Sequence, residues 1–460
     1  MNFNRLVKRP ISLDDLSQNF LEVEPDLSDK EAIDEANRCL YCYDAPCIQA
    51  CPTSIDIPSF IKKIASGNLK GAARVILEAN PVGASCSRVC PVEELCEGAC
   101  VLNKVSTPIM IGNLQRYATN WAIKNNAQLF QAGKPNGKSV AVIGGGPAGL
   151  SAARELARLG YKVTIFEAKE KAGGLNTYGI VSFRRPQEVS LWEVEQGEKL
   201  GVEIRTNTMV GRDISADEIM NSYDAVVLAI GMAKVPMLGI EGEDAKGVYD
   251  AIEFVESTKT PPLDRSFIGK RVAVIGAGNT AIDAATCSIR LGAADVKMLY
   301  RRTENEMTAY EFEYEFAKLD KVEFRWLTQP KRIITDEEGK VKALECIRME
   351  LGEPGEDGRR RPIPVEGSEF TIEVDYVIKA IGQTRYVQLI EEFGLDHERG
   401  RVKVDEETLK TSNPKVFAAG DVIFGDGQGE AMVVSAAEQG KKAAYSIHKQ
   451  LIGEGVTVSA

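Results

Sequence analysis

The apolar positions of this chain change period partway along its length. Up to about residue 130 they recur at helical spacing, with few alternating β-branched runs. Leu27-Ser28-Asp29-Lys30-Glu31 predicts a helix start, with Ser28 as N-cap and Glu31 three residues on to return the hydrogen bond. That helix would run through Ala32 and Ala36 and deliver Cys39 at its end. Residues 55–64 and 114–124 predict two more helices. Residues 131–138, polar with Gly and Pro, mark the clearest boundary. Beyond it, short apolar strands alternate with helices. Residues 140–143 read as a buried strand, 147–159 as a helix and 161–167 as a second strand. The unit recurs at 271–275, 276–291 and 296–300. Two such βαβ units predict two nucleotide-binding domains.

The turns between strand and helix carry the first chemistry. Gly144-Gly145-Gly146-Pro147-Ala148-Gly149 follows a strand and opens a helix, and Glu167 closes the next strand. In such a turn Gly144 permits the bend, Gly146 lets backbone approach a pyrophosphate, and Gly149 allows close helix packing. Glu167 is placed to accept ribose hydroxyls. Gly173-Gly174, followed by Leu175, is the further close approach expected of a flavin-binding chain. Near the other end, residues 416–421 read as a strand ending in Gly420-Asp421, an acid placed for a ribityl hydroxyl; a plain strand-end turn is the alternative. The second loop is Gly276-Ala277-Gly278-Asn279-Thr280. Its following strand ends in Tyr300-Arg301-Arg302 where an NAD site would carry an acid, which favours NADPH over NADH unless the arginines are merely solvated. Ala229-Ile230-Gly231 and Ala380-Ile381-Gly382 each end an apolar strand at a crossover between the two domains. Residues 257–270, with Pro261 and Pro262, are expected to cross between the domains, and 353–369 to form a solvated hairpin loop.

Eight of the ten cysteines lie between Cys39 and Cys100. The first run, Cys39-x2-Cys42-x4-Cys47-x3-Cys51-Pro52, nearly repeats a ferredoxin pattern in which three close cysteines hold one [4Fe-4S] cluster and the one before proline reaches another. Cys86, Cys90, Cys96 and Cys100 follow. Zinc sites use similar pairs but rarely Cys-Pro after the fourth ligand, and disulfides are not expected in a cytosolic chain. Cys287 and Cys346 read as buried and inert. Composition narrows the field further. A formal net charge of -11 argues against nucleic acid as partner. With only His397 and His448, most zinc enzymes and Ser-His-Asp hydrolases are excluded. No apolar run approaches the roughly 18 residues of a membrane span, and residues 1–15 lack the apolar stretch of a secretory signal, so a cytoplasmic location is expected.

Glycine loop, acid, second loop and Gly-Asp, preceded by this cysteine array, resemble one family along nearly the whole chain. It comprises the glutamate synthase small subunit, the N-terminal half of dihydropyrimidine dehydrogenase and the large subunit of NADH-dependent ferredoxin:NADP oxidoreductase. The resemblance implies an α/β fold: a helical domain with two [4Fe-4S] clusters (1–135), an FAD domain in two parts (136–256 and 373–460), and an NAD(P)H domain (257–372) inserted between them. Asn80-Pro81-Val82-Gly83-Ala84-Ser85-Cys86, Leu95-Cys96-Glu97-Gly98-Ala99-Cys100, Pro108 to Gln115 and Tyr178 to Arg184 are most similar to dihydropyrimidine dehydrogenase. That likeness implies Cys39, Cys42, Cys47 and Cys100 at one cluster, and Cys51, Cys90, Cys96 and Gln115 at the other, with Cys86 outside both. Other members carry glutamate at the place of Gln115. Arg184 matches an FAD-contacting arginine, and Arg301 and Arg302 a basic pair at the NADP phosphate, while a further arginine of that site is matched by Thr308. No segment matches the family's FMN barrel or C-terminal ferredoxin cysteines. The resemblance therefore implies a separate flavin subunit working with a partner that carries FMN, ferredoxin-type clusters and the pyrimidine site. Electron input to glutamate synthase or to ferredoxin is the alternative, and a non-catalytic scaffold with structural clusters is another.

Overall fold

The computed structural model describes residues 5–355, 358–425 and 431–453. The hairpin residues 356 and 357, and the outer ends of the expected domains at 1–4 and 454–460, lie outside the described residues. A helical domain is followed by two nucleotide-binding domains, the second inserted into the first. Among the described residues no helix is long and apolar enough to cross a membrane.

The helical domain begins with helix Asp29–Asn37, capped reciprocally: Ser28 Oγ accepts the Glu31 N–H, and the Glu31 carboxylate accepts the Ser28 N–H at 2.8 Å. Such a cap is worth about 1 kcal/mol. Helix Ile57–Ala65 starts at Asp56, whose carboxylate accepts the Ser59 N–H at 3.1 Å. It buries Phe60, Ile61 and Ile64 against Ile76 of helix Leu69–Ala79 and Leu114 of helix Ile111–Lys124. Cys39, Cys47, Cys51, Cys96 and Cys100 border this same core.

In the first sheet five parallel strands run in the order Val416–Ala418, Ala225–Leu228, Ser139–Ile143, Lys162–Phe166, Glu203–Arg205. Its central strands are nearly continuous apolar runs after their first residues, Thr164 excepted, because both faces are covered. Val140 and Val142 meet helices Pro147–Arg158 and Val433–Leu451, whereas Ala141 and Ile143 face Ile219 and Ile390. The second sheet repeats the plan with Val248–Asp250, Tyr376–Lys379, Arg271–Ile275, Asp295–Leu299 and Glu323–Arg325. An antiparallel layer follows it, in which Val341–Pro354 pairs with Thr328–Thr335, Arg360–Pro364 and Phe370–Glu373.

The pairing corrects several boundaries expected from sequence. Val248–Asp250 and Tyr376–Lys379, on the flavin side of divisions at 256 and 372, pair with each other in the second sheet, Val377 opposite Val248 and Tyr376 opposite Val272. A short apolar strand carries no mark of which parallel sheet it joins. Residues 257–270 do not cross between domains; Phe267 is buried in the second core with Val272 and Phe254. Leu16, Phe20 and Val23, expected in the helical domain, are buried in that same core. Arg290 donates to the Asn19 carbonyl at 2.9 Å and Asn19 donates back to the Arg290 carbonyl at 2.8 Å, which fastens the segment there.

Candidate functional site

The first glycine turn is shaped by what its residues must avoid. Gly144 has φ +98°, and a Cβ on it would overlap the Ala229 carbonyl at the crossover. Gly174, at φ +56°, passes so close to Gly146 that a Cβ would lie 2.8 Å from the Gly146 Cα. Pro147 and Ala148 open helix Pro147–Arg158, whose first-turn N–H groups have no intrahelical partners and make a cradle for an anion. Gly149 is needed because a Cβ on it would overlap the Gly144 carbonyl. Glu167 is buried; one carboxylate oxygen accepts the Gly145 N–H at 3.0 Å and the other the Lys169 N–H at 2.9 Å. Burial raises its pKa above the usual carboxylate range. Leu175 begins the short helix Leu175–Tyr178 just past Gly174.

Gly420 and Asp421, distant in sequence, come to this turn. A Cβ on Gly420 would stand 3.1 Å from Ala148 Cβ, and the Gly420 N–H donates to Gln439 at 2.8 Å. Arg385 donates to the Asp421 carbonyl at 2.9 Å, and burial raises the Asp421 carboxyl. A dinucleotide fits this place on a further observation. Asn176 is buried, yet neither atom of its amide has a hydrogen-bond partner among the described residues. Buried amides are rarely left so, and a bound polar group would complete it. Sequence reasoning missed Asn176; its nearness to Gly173-Gly174 was the available signal. Arg184 lies at the seam of the two domains, ion-paired with Glu313 and 3.9 Å from Asp283, with its Nε buried and without a partner.

The second glycine turn opens a larger space. Gly276 has φ +135°, and a Cβ on it would overlap the Ala380 carbonyl, as Gly144 meets Ala229 in the first domain. Gly276, Ala277, Gly278, Thr280, Arg301, Arg302, Ala380 and Gly382 line one solvent-open cleft of about 1440 Å³. Asn279 does not line it; it begins helix Asn279–Arg290 and accepts the Tyr310 N–H at 3.0 Å. Arg359, expected in a solvated hairpin loop, lines the cleft as well.

The cysteines fall into two groups in space. Cys39, Cys42, Cys47 and Cys100 line one cavity of about 380 Å³, partly open to solvent, whose other walls include Ile57, Ile61, Ile109 and Ile111. Burial, then the neighbouring thiols, pushes Cys47 up to about 11 and raises Cys39. Among the described residues no three His, Cys, Asp or Glu side chains converge to hold a single metal ion. Four thiols around an apolar hollow suit a cluster that takes ligands at its corners, and its positive irons would relieve the crowding of thiolates. Cys51, Cys90 and Cys96 form the second group; the neighbouring Cys86 thiol and then burial raise Cys90, and burial and then the Glu97 carboxylate raise Cys96. Cys86, expected outside both groups, lies one helical turn before Cys90, whose N–H donates to the Cys86 carbonyl at 3.0 Å. Gln115 is buried one turn beyond Gly112, whose N–H donates to Glu97 at 2.9 Å. Its Nε2 donates to the Gly83 carbonyl at 2.7 Å, and no donor reaches Oε1 among the described residues. Cys287 and Cys346 are fully buried, their thiols pushed up to about 12.

Two Rossmann-type sheets, one inserted in the other, with a cysteine-lined helical domain ahead of them define a flavin- and nicotinamide-dependent oxidoreductase with an iron–sulfur domain. Residues 138–440 match the pyridine nucleotide-disulphide oxidoreductase family, and residues 16–127 match dihydropyrimidine dehydrogenase domain II, 4Fe-4S cluster. The chain belongs to this family of NAD(P)-dependent FAD and iron–sulfur oxidoreductases. It is 39% identical to the NADP(+)-dependent formate dehydrogenase subunit beta of Moorella thermoacetica, over 90% of this chain but only 60% of that one. It is 37% identical to the glutamate synthase [NADPH] small chain of Escherichia coli, covering 96% and 95%. With the NAD-dependent dihydropyrimidine dehydrogenase subunit PreT of Salmonella typhimurium it shares 34%, covering 94% and 98%. Mycobacterium tuberculosis FprA in complex with NADPH shares the fold at TM-score 0.56, with 20% identity over 69% of this chain and 85% of that one.

Proposed function

We propose that the chain is the electron-input subunit of an NAD(P)-dependent dihydropyrimidine dehydrogenase, moving electrons between NAD(P)H, FAD and two [4Fe-4S] clusters. Its partner would be a subunit carrying FMN, ferredoxin-type clusters and the site that interconverts uracil or thymine with the 5,6-dihydropyrimidine. The observation that carries this reading is Gln115. Its amide is buried and fixed through Nε2, which would leave Oε1 to serve as a neutral fourth ligand to a cluster held by Cys51, Cys90 and Cys96. A neutral oxygen in place of a carboxylate raises the cluster's net charge by one and so shifts its potential.

FAD supplies the ability to accept a hydride and release electrons one at a time. The chain's own residues hold and order the cofactors. Gly144 to Gly149, Glu167, Gly174 and Asp421 would hold the dinucleotide, and Gly276 to Thr280 with Arg301 and Arg302 the nicotinamide cofactor. Cys86 and Cys90 pack with Val434 and Ala437 of the flavin domain's last helix, which sets the second cysteine group on the flavin side. The first group is the outward one, beside exposed Leu40 and Tyr43. No side chain here needs to act as nucleophile or general acid. Electron input to glutamate synthase is the second reading, favoured by the 37% identity over nearly all of that small chain. Purification with the bound partner, followed by parallel assays of uracil reduction and glutamine-dependent glutamate formation, separates the two. Uracil reduction supports the proposal, and glutamate formation alone overturns it.

A further inference from the structure

We infer that Glu193, on helix Gln187–Glu198 of the flavin domain, is a positioning residue for the second cysteine group. It fixes the short helix that holds Gln115 and ends at Cys90, and so sets the geometry and potential of the cluster these residues would bind. The inference rests on the reading of Cys51, Cys90, Cys96 and Gln115 as cluster ligands.

Helix Gly83–Val89 begins without a cap of its own, for Val82 at its start offers no side-chain acceptor. The acceptor comes from another domain. One Glu193 carboxylate oxygen takes the Ser85 N–H at 2.8 Å and the other the Ser85 hydroxyl at 2.6 Å. Glu193 is only 5% exposed, and a carboxylate buried so deeply is costly unless its oxygens are bonded. Burial pushes it up to about 7, against the pull of the Ser85 bonds and of the Arg185 and Arg88 guanidiniums. From within the helical domain Arg88 holds the far end of the same helix, on Glu22 at 3.1 Å and Asn120 at 2.7 Å. The apolar contact of Val82 and Cys86 with Val434 and Ala437 sets a distance between the domains but no register. Short, directional bonds to a carboxylate set the register.

Both ends of this helix reach the second cysteine group. At its start the Gly83 carbonyl accepts Gln115 Nε2 at 2.7 Å; at its end the Cys90 N–H donates to the Cys86 carbonyl at 3.0 Å. A shift of the helix would therefore move Gln115 and Cys90 together. Helix Gln187–Glu198 is itself tied to the flavin turn. Gln187 donates to the Thr177 carbonyl at 3.1 Å, and Ser190 and Thr177 share a hydroxyl hydrogen bond at 2.9 Å. A Cβ on Gly173 would stand 2.6 Å from Ser190 Oγ. Ser190 and Glu193, three residues apart, are neighbours on the helix surface. One helix thus braces the dinucleotide turn through Ser190 and the second cysteine group through Glu193. Groups that hold metal ligands in place tune both affinity and potential.

The test uses the complete chain with its cofactors, purified without oxygen, in unaltered form and as Glu193→Ala, Glu193→Gln and Ser85→Ala. Iron and sulfide are counted, iron loss to a chelator is timed, and each cluster is titrated at pH 8 by electron paramagnetic resonance. The signal that Gln115→Ala alters identifies the second cluster. Glu193→Ala is expected to change that signal and to lose its iron at least about tenfold faster, and Ser85→Ala to do the same to a smaller degree. Glu193→Gln keeps an acceptor for the Ser85 N–H but removes a negative charge. It should restore the signal and the iron while moving that cluster's potential to more positive values, with the first cluster unchanged throughout. Unchanged signal, potential and iron loss in all three variants overturns the inference, as does an equal change in both clusters, which marks general loosening. Ser85→Ala and Glu193→Gln decide the matter if Glu193→Ala fails to fold. If the unaltered protein holds iron for a single cluster, the ligand reading itself falls and the inference with it.

Discussion

Replacing Gly276 with alanine puts a methyl group where the backbone has no room. At φ +135° an L-residue is strained by about 1–2 kcal/mol. The new Cβ would also stand 2.9 Å from the Ala380 carbonyl carbon and overlap its oxygen, and both are backbone atoms that cannot rotate away. Overpacking of this kind costs a further 1–3 kcal/mol. The least costly relief is to move the turn away from Ala380, which displaces Gly278 and the start of helix Asn279–Arg290, where the pyrophosphate would be received. A shift that sacrifices about 2 kcal/mol of binding lowers NADPH affinity about 30-fold. The flavin domain has its own cores, built on Val140, Val142, Ala141 and Ile143, and does not share this turn. Gly276→Ala should therefore retain flavin absorbance and iron while NADPH bleaches the flavin only at far higher concentration; Gly144→Ala should lose flavin. Wild-type NADPH affinity in Gly276→Ala would refute the reasoning, as would loss of flavin in that variant with nucleotide binding intact.

Three other outcomes follow from buried groups. Gln115→Ala should lose the second cluster's iron or shift its potential while Cys86→Ser keeps full iron; the reverse result, read by iron and sulfide analysis with electron paramagnetic resonance, would assign the fourth position to Cys86. Arg184→Leu leaves buried Glu313 and part-buried Asp283 without their cation, and should cost about 3 kcal/mol in chemical denaturation at pH 8. The loss should shrink by pH 6, because burial and Glu313 push Asp283 up to about 7 and a proton then replaces the missing charge. Lys259 donates to the Ile180 carbonyl across the domain seam, and burial with the Arg185 guanidinium pulls its pKa down to about 7. Between about 7 and 10.5 the unfolded state holds more protons, so this group's contribution to stability rises with pH across that window and is lost as pH falls through 7. Lys259→Met should therefore melt higher than the unaltered chain at pH 6, with the difference narrowing toward pH 10; a constant difference would contradict the assignment.

The parts of the site legible in sequence are those whose chemistry is local. Gly144 to Gly149 and Gly276 to Gly278 can be read because strand, turn and helix are contiguous, and the structure shows the carbonyls of Ala229 and Ala380 that forbid a side chain there. The Ser28 cap is legible for the same reason. What depends on distant partners is not. The strand Tyr376–Lys379 gives no sign of its sheet, and Phe20 none of its place in the nicotinamide-domain core. Arg359 lies in a stretch of glycine, proline and charge that any exposed loop could show, and only the Arg302–Arg360 bond reveals what it borders. The sorting of cysteines is another such case. Spacing alone suggests two tetrads in chain order, whereas the cavity draws Cys100 back to Cys39, Cys42 and Cys47.

If electrons reach the partner through the cysteine-lined domain, breaking the outward cysteine group should stop their onward passage. The chain and its partner subunit are purified together, with and without Cys39→Ser and Cys100→Ser in the outward group. NAD(P)H-driven flavin bleaching and uracil reduction are then followed anaerobically in the same sample. The double variant should bleach its flavin as the unaltered complex does but no longer reduce uracil. Uracil reduction at the unaltered rate without that cluster, or none by the intact complex, would contradict it.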